Sequence, residues 1–312
     1  MKCALKAFVL GMTASLAACG SAPPPVPQTV ANTRTFMAEA MADYNDNRYA
    51  EARGFFGRAY AQYRSVDDLQ GQADALVDLA DAALLQGDVA AARGNLKDAR
   101  ALTDAHPALA ALRPRLTLLD AYADLQSGDA AGAAARLDPL LIPNGAPADV
   151  ARAALFARTQ AAFDAKAPDA GQWIAKLGEP TDNPLDAARL ERLQALAEPD
   201  ATKAAALYAD SLQRYQAAYY RPGIAAVHEE WGARLMAQQD WNGARDHLQR
   251  ALQVRLWMYD ASHSEHILGE LGTVDQALGD ATAAKQDADM AEYLKDGGDP
   301  SKAGLPKTPT GN

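Results

Sequence analysis

A pattern typical of two helices joined by a short turn recurs about every 40 residues, and this repetition limits the folds that the sequence can adopt. Its marker is a pair of turn residues that begins at Asn47, Gly87, Gly128, Pro168, Pro199, Gln239 and Gly279. The pairs are separated by 40, 41, 40, 31, 40 and 40 residues, and the second residue is Asp in six of the seven. Gly or Pro ends a helix, and Asp accepts hydrogen bonds from the first N–H groups of the next. Each pair therefore predicts the turn of a helical hairpin.

Small and apolar residues keep fixed distances from these turns. Seven positions before the pair, the residue is small at Ala40, Ala80, Ala121, Ala161, Gly232 and Gly272, with Arg192 as the exception. Five positions after the pair stand Ala52, Ala92, Ala133, Ala204, Ala244 and Ala284, with Trp173 as the exception. Nine positions after it, a larger apolar group usually follows, at Phe56, Leu96, Leu137, Leu177, Tyr208 and Leu248. Small residues on facing sides let antiparallel helices approach closely, so these offsets predict hairpins that pack on one another.

The rest of the sequence from residue 32 is also typical of helices. No segment shows the sustained alternation of apolar and polar residues, rich in Val, Ile and Thr, that a half-buried strand requires. Hydrophobic residues make up 49% of the chain, and its commonest residue is Ala, the strongest helix former. We therefore predict an all-α protein. A non-repeating, Ala-rich helical bundle is the alternative to a repeat array.

The pattern resembles the tetratricopeptide repeat, most closely in WGARLMAQQDWNGARDHLQRAL at residues 231–252 and in ELGTVDQALGDATAAKQDADMA at residues 270–291. The period is longer than the roughly 34 residues of that repeat and is similar to the variant of kinesin-light-chain-like arrays. The resemblance implies a right-handed α-solenoid of about seven helical hairpins. We assign residues 32–142 to N-terminal repeats, the proline-rich residues 143–199 to an irregular joint, and residues 200–295 to C-terminal repeats.

The N-terminal segment has two lysines and a short apolar run that ends in Leu16-Ala17-Ala18-Cys19, followed by Gly20. The run is too short to span a bilayer, and the arrangement resembles a bacterial lipoprotein signal with its lipobox. The resemblance implies cleavage of residues 1–18, a diacylglycerol on the Cys19 sulfur, and acylation of its amine, for example by palmitate. Residues 19–31 then form a Pro-rich tether, and Gly20 favours the outer membrane, with the protein facing the periplasm. The alternative is an ordinary secretory signal in which the cysteine is incidental.

The sequence offers little for catalysis. It has no glycine-rich phosphate loop and no Gly-x-Ser-x-Gly motif, so we predict no enzyme activity and no cofactor. His263 and His266 lie three residues apart with Glu265 between them, a weak case for a metal site, and a helix cap around residues 262–264 accounts for the same polar cluster. The net charge of −10 and the lack of clustered Lys and Arg argue against a nucleic-acid partner.

A tetratricopeptide array uses the first helix of each hairpin to line a concave groove. The register on that pattern predicts that the groove is lined by Arg34, Met37, Met41, Tyr44, Asp74, Asp78, Asp81, Arg115, Tyr122, Glu229, Glu230 and Met236. The three aspartates form an acidic stripe along one helix face. We expect this groove to hold a partner peptide or helix that carries basic residues. The alternative is a solvated acidic surface that binds nothing.

These features lead us to expect a membrane-anchored scaffold or adaptor lipoprotein of the bacterial envelope. It would mediate protein–protein interactions in an assembly such as secretion, pilus, barrel-insertion or cell-wall machinery. A small-ligand or glycan receptor that uses the aromatic residues between positions 208 and 259 is the alternative. We expect most of those aromatics to be core, and the YYRP segment at residues 219–222 to reach a partner. Residues 296–312, rich in Gly, Pro, Lys and Thr, predict a disordered tail.

Overall fold

A computed structural model describes residues 28–303 of the chain. Across this range 14 α-helices and three short 3-10 helices follow one another, and the same range contains no β-strand. The all-α prediction is therefore confirmed. The predicted signal peptide, the lipid attachment at Cys19, most of the tether and residues 304–312 of the tail lie outside the described residues.

The helices have similar lengths, except in the middle of the chain. The α-helices are α1 (Gln28–Asn45), α2 (Tyr49–Ser65), α3 (Leu69–Leu85), α4 (Val89–Ala105), α5 (Arg113–Gln126), α6 (Ala130–Leu137), α7 (Ala148–Asp164), α8 (Ala170–Leu177), α9 (Pro184–Ala197), α10 (Ala201–Ala217), α11 (Arg221–Ala237), α12 (Trp241–Trp257), α13 (Ala261–Ala277) and α14 (Ala281–Lys295). The 3-10 helices are Pro107–Leu112, Asp138–Leu140 and Pro300–Lys302. None of the helices in the described range is both long and apolar enough to span a membrane.

The 14 helices form seven consecutive pairs, from α1–α2 to α13–α14, and each pair also contacts the next one along the chain. Every turn predicted from the sequence lies between the two helices of a pair. The side chains of Asp88, Asp129, Asp200, Asp240 and Asp280 each accept a hydrogen bond from the backbone N–H three residues later. Asp169 is the one predicted cap that makes no such bond. The caps thus satisfy N–H groups that have no partner within the helix.

The residues at the predicted offsets are the core of the pairs. The alanines five positions after the turns and the larger groups nine positions after them are buried throughout. At Gly232, an added Cβ would lie 2.9 Å from the Cγ of Leu248, so a larger residue could not occupy this position without displacing its neighbour. Close packing of helices therefore explains why the position seven residues before the turn is small.

The ends of the described chain differ from the sequence predictions. Helix α1 begins at Gln28, so the last four residues of the predicted tether are helical. Residues 296–303, which we predicted as disordered, end in a 3-10 helix, and Ala303 packs against the core between α12 and α13. The Tyr293 hydroxyl accepts a hydrogen bond of 3.0 Å from the Asp299 backbone N–H. One aromatic side chain therefore orders a segment whose composition alone suggests disorder.

The early and late helices also meet, at a contact that we call the seam. Tyr49, Phe56 and Ala82 share a hydrophobic core with Met258 and the partly buried Val254 of the α12 end. This contact joins residues about 200 positions apart in the sequence. The chain of helical pairs therefore curves back until its first pairs pack against its late ones.

Candidate ligand-binding cavity

The curvature of the chain creates a cavity of about 440 Å³ on its inner side, which we call the central cavity. Helices α1, α3, α5, α7, α9 and α11, the first members of six pairs, supply most of its lining. Its polar and aromatic lining consists of Tyr44, Asp81, Arg115, Tyr122, Gln126, Phe156, Gln160, Arg189, Arg192, Tyr215 and Tyr220. Leucines such as Leu84 and Leu118 complete the walls. The cavity combines an apolar surface with a few charged groups, as small-molecule sites do.

One carboxylate lies in the lining, and two neighbours hold it. The Arg115 guanidinium donates to the Asp81 Oδ2 at 2.7 Å, and the Tyr44 hydroxyl donates to the same oxygen at 3.2 Å. Burial raises the pKa of Asp81, and the positive charge of Arg115 opposes that shift. Asp81 is thus a partner of groups in the cavity wall and is not free to receive a basic ligand.

Two arginines of α9 face the cavity, and only one is neutralised. Arg192 forms an ion pair with Glu230 of α11, and burial raises the pKa of Glu230 to about 7. The Arg189 guanidinium lies 5.9 Å from the centre of the Phe156 ring, and Tyr220 lines the same space. Among residues 28–303, no carboxylate lies within 4.0 Å of it. Arg189 is therefore a half-buried cation without an anionic partner in the described chain.

The cavity brings together four of the residues that the sequence analysis placed in the groove, namely Tyr44, Asp81, Arg115 and Tyr122. A fifth, Glu230, lies behind the wall as the partner of Arg192. These residues come from four different helices, and the register on the helical hairpin is what predicted that they face inward.

The other groove candidates lie elsewhere, and these are Arg34, Met37, Met41, Asp74, Asp78, Glu229 and Met236. Met37 packs into the seam core, and Met236 packs against the core of α12 and α13. Glu229 accepts a hydrogen bond of 2.6 Å from the Nε of Arg255. Arg34 and Met41 are exposed. For Met37 and Met236, the neighbouring helix pair covers a face that the single-hairpin register leaves open.

The predicted acidic stripe does not act as one unit. Asp74 is bound by the side-chain amide of Gln70, at 2.9 Å. Burial raises the pKa of Asp78 to about 6, and the charge of Asp81 adds to this shift. Asp81 itself is neutralised by Arg115. The three carboxylates thus have three different environments, because the neighbouring α5 reaches only the last of them.

The late aromatic residues divide into a core group and a cavity group. Tyr208 is buried and stacks on Trp231 with ring centres 5.6 Å apart, and Trp231 lies 4.2 Å from the His247 ring. The Nδ1 atoms of His228 and His247 are 2.9 Å apart. Burial lowers the pKa of His228 to about 4, and the charge of His247 lowers it further.

Tyr215 and Tyr220 belong to the cavity group. The segment that we expected to reach a partner, residues 219–222, contacts the first turn of the same chain. The Asn47 side chain donates to the Tyr219 carbonyl at 2.9 Å and accepts from the Arg221 N–H at 3.1 Å. Arg221 also donates to the Asp46 carbonyl at 3.0 Å, and its guanidinium lies 3.7 Å from the centre of the Trp257 ring. These bonds are the polar part of the seam.

The histidine pair at 263 and 266 shows the geometry of a helix cap. Asp260 accepts from the His263 backbone N–H at 3.1 Å, and the His263 Nδ1 lies 3.0 Å from the same carboxylate oxygen. His266 points outward and is mostly exposed. No group of three or more His, Cys, Asp or Glu side chains within residues 28–303 is placed to hold a metal ion.

Phe156, Arg189 and Arg192 are among the cavity residues that the sequence did not indicate. They lie on α7 and α9, in the proline-rich part of the chain where the repeat register is broken. A signal for one of them was present, since Arg192 is the only large residue at the position that is otherwise small. The large residue at this position lies on the face of α9 that lines the cavity, whereas the small residues at the equivalent positions lie on faces that pack against another helix.

No protein-family model matches this chain, and no curated protein matches it. Among solved structures, the chain is similar to one described as the crystal structure of BtubC (BKLC) from P. vanneervenii. The two are 15% identical, the match covers 92% of this chain and 97% of that one, and the TM-score is 0.31. A similarity at that TM-score supports no conclusion about fold or function.

Proposed function

We propose that this protein is a non-catalytic scaffold or adaptor lipoprotein of the bacterial envelope, built as a tetratricopeptide-like, right-handed α-solenoid of about seven hairpins. A lipid on Cys19 anchors it to the outer membrane, facing the periplasm. Its partners are envelope proteins or peptides of an assembly such as a secretion, pilus, barrel-insertion or cell-wall machine. The observation that carries the proposal is that the residues at the repeated offsets are buried between consecutive helical pairs. Arrays of this kind present extended surfaces that suit protein binding.

The anchor is tested by metabolic labelling with a palmitate analogue in a bacterial host. We expect label on the full chain and on the Cys3→Ser variant, because Cys3 leaves with the signal. The Cys19→Ser variant should carry no label and should leave the membrane fraction. Label that persists in Cys19→Ser, or its absence from the unaltered chain, contradicts the anchor.

The interaction with a basic partner is tested by replacing two carboxylates that do not line the central cavity. We expect the Asp74→Asn, Asp78→Asn double variant to weaken capture of a basic envelope partner after crosslinking in solubilised membranes. Asp81 is left unchanged because its loss would leave Arg115 without its partner. The matched control is Asp210→Asn, which removes an exposed charge from α10. Equal capture by the unaltered chain, the double variant and the control contradicts this role, and so does the lack of a stoichiometric partner for all three.

The central cavity supports a second candidate function, a receptor for a small ligand. Its volume of about 440 Å³ lies within the range of small-molecule sites, roughly 300–1,000 Å³. A helix about 10 Å wide that rises 1.5 Å per residue would fit only about four residues in that volume. The cavity therefore suits a compact molecule better than a partner helix.

A further inference from the structure

The central cavity carries one positive charge that the chain does not balance. Asp81 accepts from Arg115, and Glu230 pairs with Arg192, so two of the three arginines in the lining are neutralised. Arg189 lies 5.9 Å from the centre of the Phe156 ring, with Tyr220 in the same lining. Burying a guanidinium without a counter-charge is costly, and proteins rarely do so without a use for it.

The neighbours of Arg189 are arranged as hydrogen-bond donors. The Tyr122 hydroxyl makes no hydrogen bond to any other described residue, and the fields of both Arg189 and Arg115 act on it. Tyr220 also lines the cavity, and its phenol hydroxyl can donate a hydrogen bond. A guanidinium and two phenol hydroxyls that face one space are suited to an oxyanion, because all of them can donate to it.

The unbalanced charge in the lining is a single one, so the group that balances it is a monoanion. A carboxylate fits this requirement, whereas a phosphate monoester carries close to two charges at neutral pH. Apart from Gln126 and Gln160, the uncharged lining is mainly aromatic and aliphatic, with Phe156, Tyr215 and several leucines. A ligand that fills the cavity therefore has an apolar or ring-shaped body attached to its anionic group.

We propose that the central cavity binds a small organic monocarboxylate, whose carboxylate is held by Arg189 and by the hydroxyls of Tyr122 and Tyr220. This inference rests on the second candidate function and names the ligand class of the same cavity. Asp81 and Tyr44 hold Arg115 in the cavity wall, and the aromatic rings contact the ligand body.

The test is calorimetric titration of the full chain at low ionic strength with benzoate, phenylacetate and 2-naphthoate. The comparison ligands are the three matching neutral amides, phenyl phosphate, and the tripeptide Gly-Gly-Phe. We expect at least one carboxylate to bind at least about tenfold more tightly than its amide, since a charge-assisted bond is lost in the amide. Arg189→Met should weaken that binding about tenfold or more, and Arg189→Lys should restore part of it.

The matched control is Arg214→Met, which removes a half-exposed arginine that pairs with Glu191 outside the cavity. It should leave carboxylate binding within about twofold, since long-range effects of exposed charges are screened. If Arg189→Met fails to fold, Arg189→Lys, which keeps the charge and lacks the planar donor fork, still tests the contact.

The outcomes separate the inference from the receptor function on which it rests. If amides bind as tightly as carboxylates, or if Arg189→Met binds normally, the cavity is a receptor but the carboxylate inference is wrong. If phenyl phosphate binds more tightly than every carboxylate, the monoanion class is wrong, and if only the tripeptide binds, the small-molecule class is wrong. If none of the probes binds, both the inference and the receptor function are contradicted.

Discussion

Replacement of Asn47 by Gly tests the polar part of the seam. Asn47 is buried and occupies the left-handed region, with φ of 61°. Its side-chain amide donates to the Tyr219 carbonyl at 2.9 Å, and its oxygen accepts from the Arg221 N–H and from the Tyr49 hydroxyl, both at 3.1 Å. Gly adopts the same φ without strain, so the variant removes the hydrogen bonds and leaves the turn geometry intact.

The expected loss of stability follows from these bonds. Two of them cross the seam, and each leaves a backbone group without a partner, which costs about 1–3 kcal/mol. The greater freedom of Gly in the unfolded chain adds about 0.5–1 kcal/mol. Since the site is only partly enclosed, we expect Asn47→Gly to lower the free energy of unfolding by about 3–5 kcal/mol.

Gln239→Gly is the matched control, because Gln239 has φ of 62° in an equivalent turn and is exposed. We expect it to cost no more than about 1 kcal/mol. The assay is urea unfolding followed by circular dichroism, together with amide hydrogen exchange at residues 219–221. Exchange there should rise in Asn47→Gly alone, since the Arg221 N–H loses its acceptor. Equal stability and equal exchange in the two variants would refute the role of Asn47 in joining the seam.

Two further predictions concern packing and pH. An added Cβ at Gly223 would lie 2.5 Å from the Tyr215 ring, so Gly223→Ala should destabilise the protein by about 1–3 kcal/mol in thermal melts. An added Cβ at Gly57 would meet no neighbouring atom within 4 Å, so Gly57→Ala should stabilise the protein by about 0.5–1 kcal/mol. A reversal of that order would contradict the packing described for Tyr215. The pKa of His228 is about 4 in the folded protein and about 6.5 in the unfolded chain, so the unfolded state binds more protons between these pH values. The free energy of unfolding should therefore fall by about 2–4 kcal/mol as the pH drops from about 6.5 to 4. His228→Asn should flatten this dependence in unfolding titrations, although His247 remains, and an unchanged slope would rule out His228 as its source.

The local structure of this chain could be predicted from the sequence because it depends on short-range physics. The Asp that ends a turn pair identifies both the end of one helix and the cap of the next, and five of the six such aspartates do cap a helix. Small residues at fixed distances identify the packed faces, and these are buried. The same register placed Tyr44, Asp81, Arg115 and Tyr122 on the inner side, where the structure has them.

The curvature of the chain could not be predicted in this way. The bond between Asn47 and the Tyr219 carbonyl joins residues 172 positions apart, and no local pattern records such a contact. The register of single hairpins left a groove open, whereas the closing of the seam turns it into a cavity. Met37, which the register alone assigns to the groove, packs against the hydrophobic core of the seam.

Which charged residues of the cavity form ion pairs also could not be predicted from the sequence. Whether a carboxylate such as Asp81 is available depends on which arginine the next helix brings to it, and this is a matter of three-dimensional spacing. Arg189 and Arg192 lie three residues apart on one helix, yet only Arg192 meets an acid. A list of charged residues cannot separate these two cases.

The central claim of this account is that the early and late helical pairs meet at the seam and enclose the cavity. The most direct test is a distance measurement between spin labels at Glu51→Cys on α2 and Gln253→Cys on α12, in a chain with Cys3 and Cys19 replaced by Ser. Both positions line one pocket at the seam, so we expect a distance of about 20 Å, whereas hairpins stacked 8–10 Å apart without closure would place the labels about 40 Å apart or more. Labels at Glu51→Cys and Lys97→Cys, on adjacent pairs, should give a short distance in either case. A narrow distribution near 20 Å for the first pair agrees with the closed arrangement, and one centred beyond about 40 Å contradicts it.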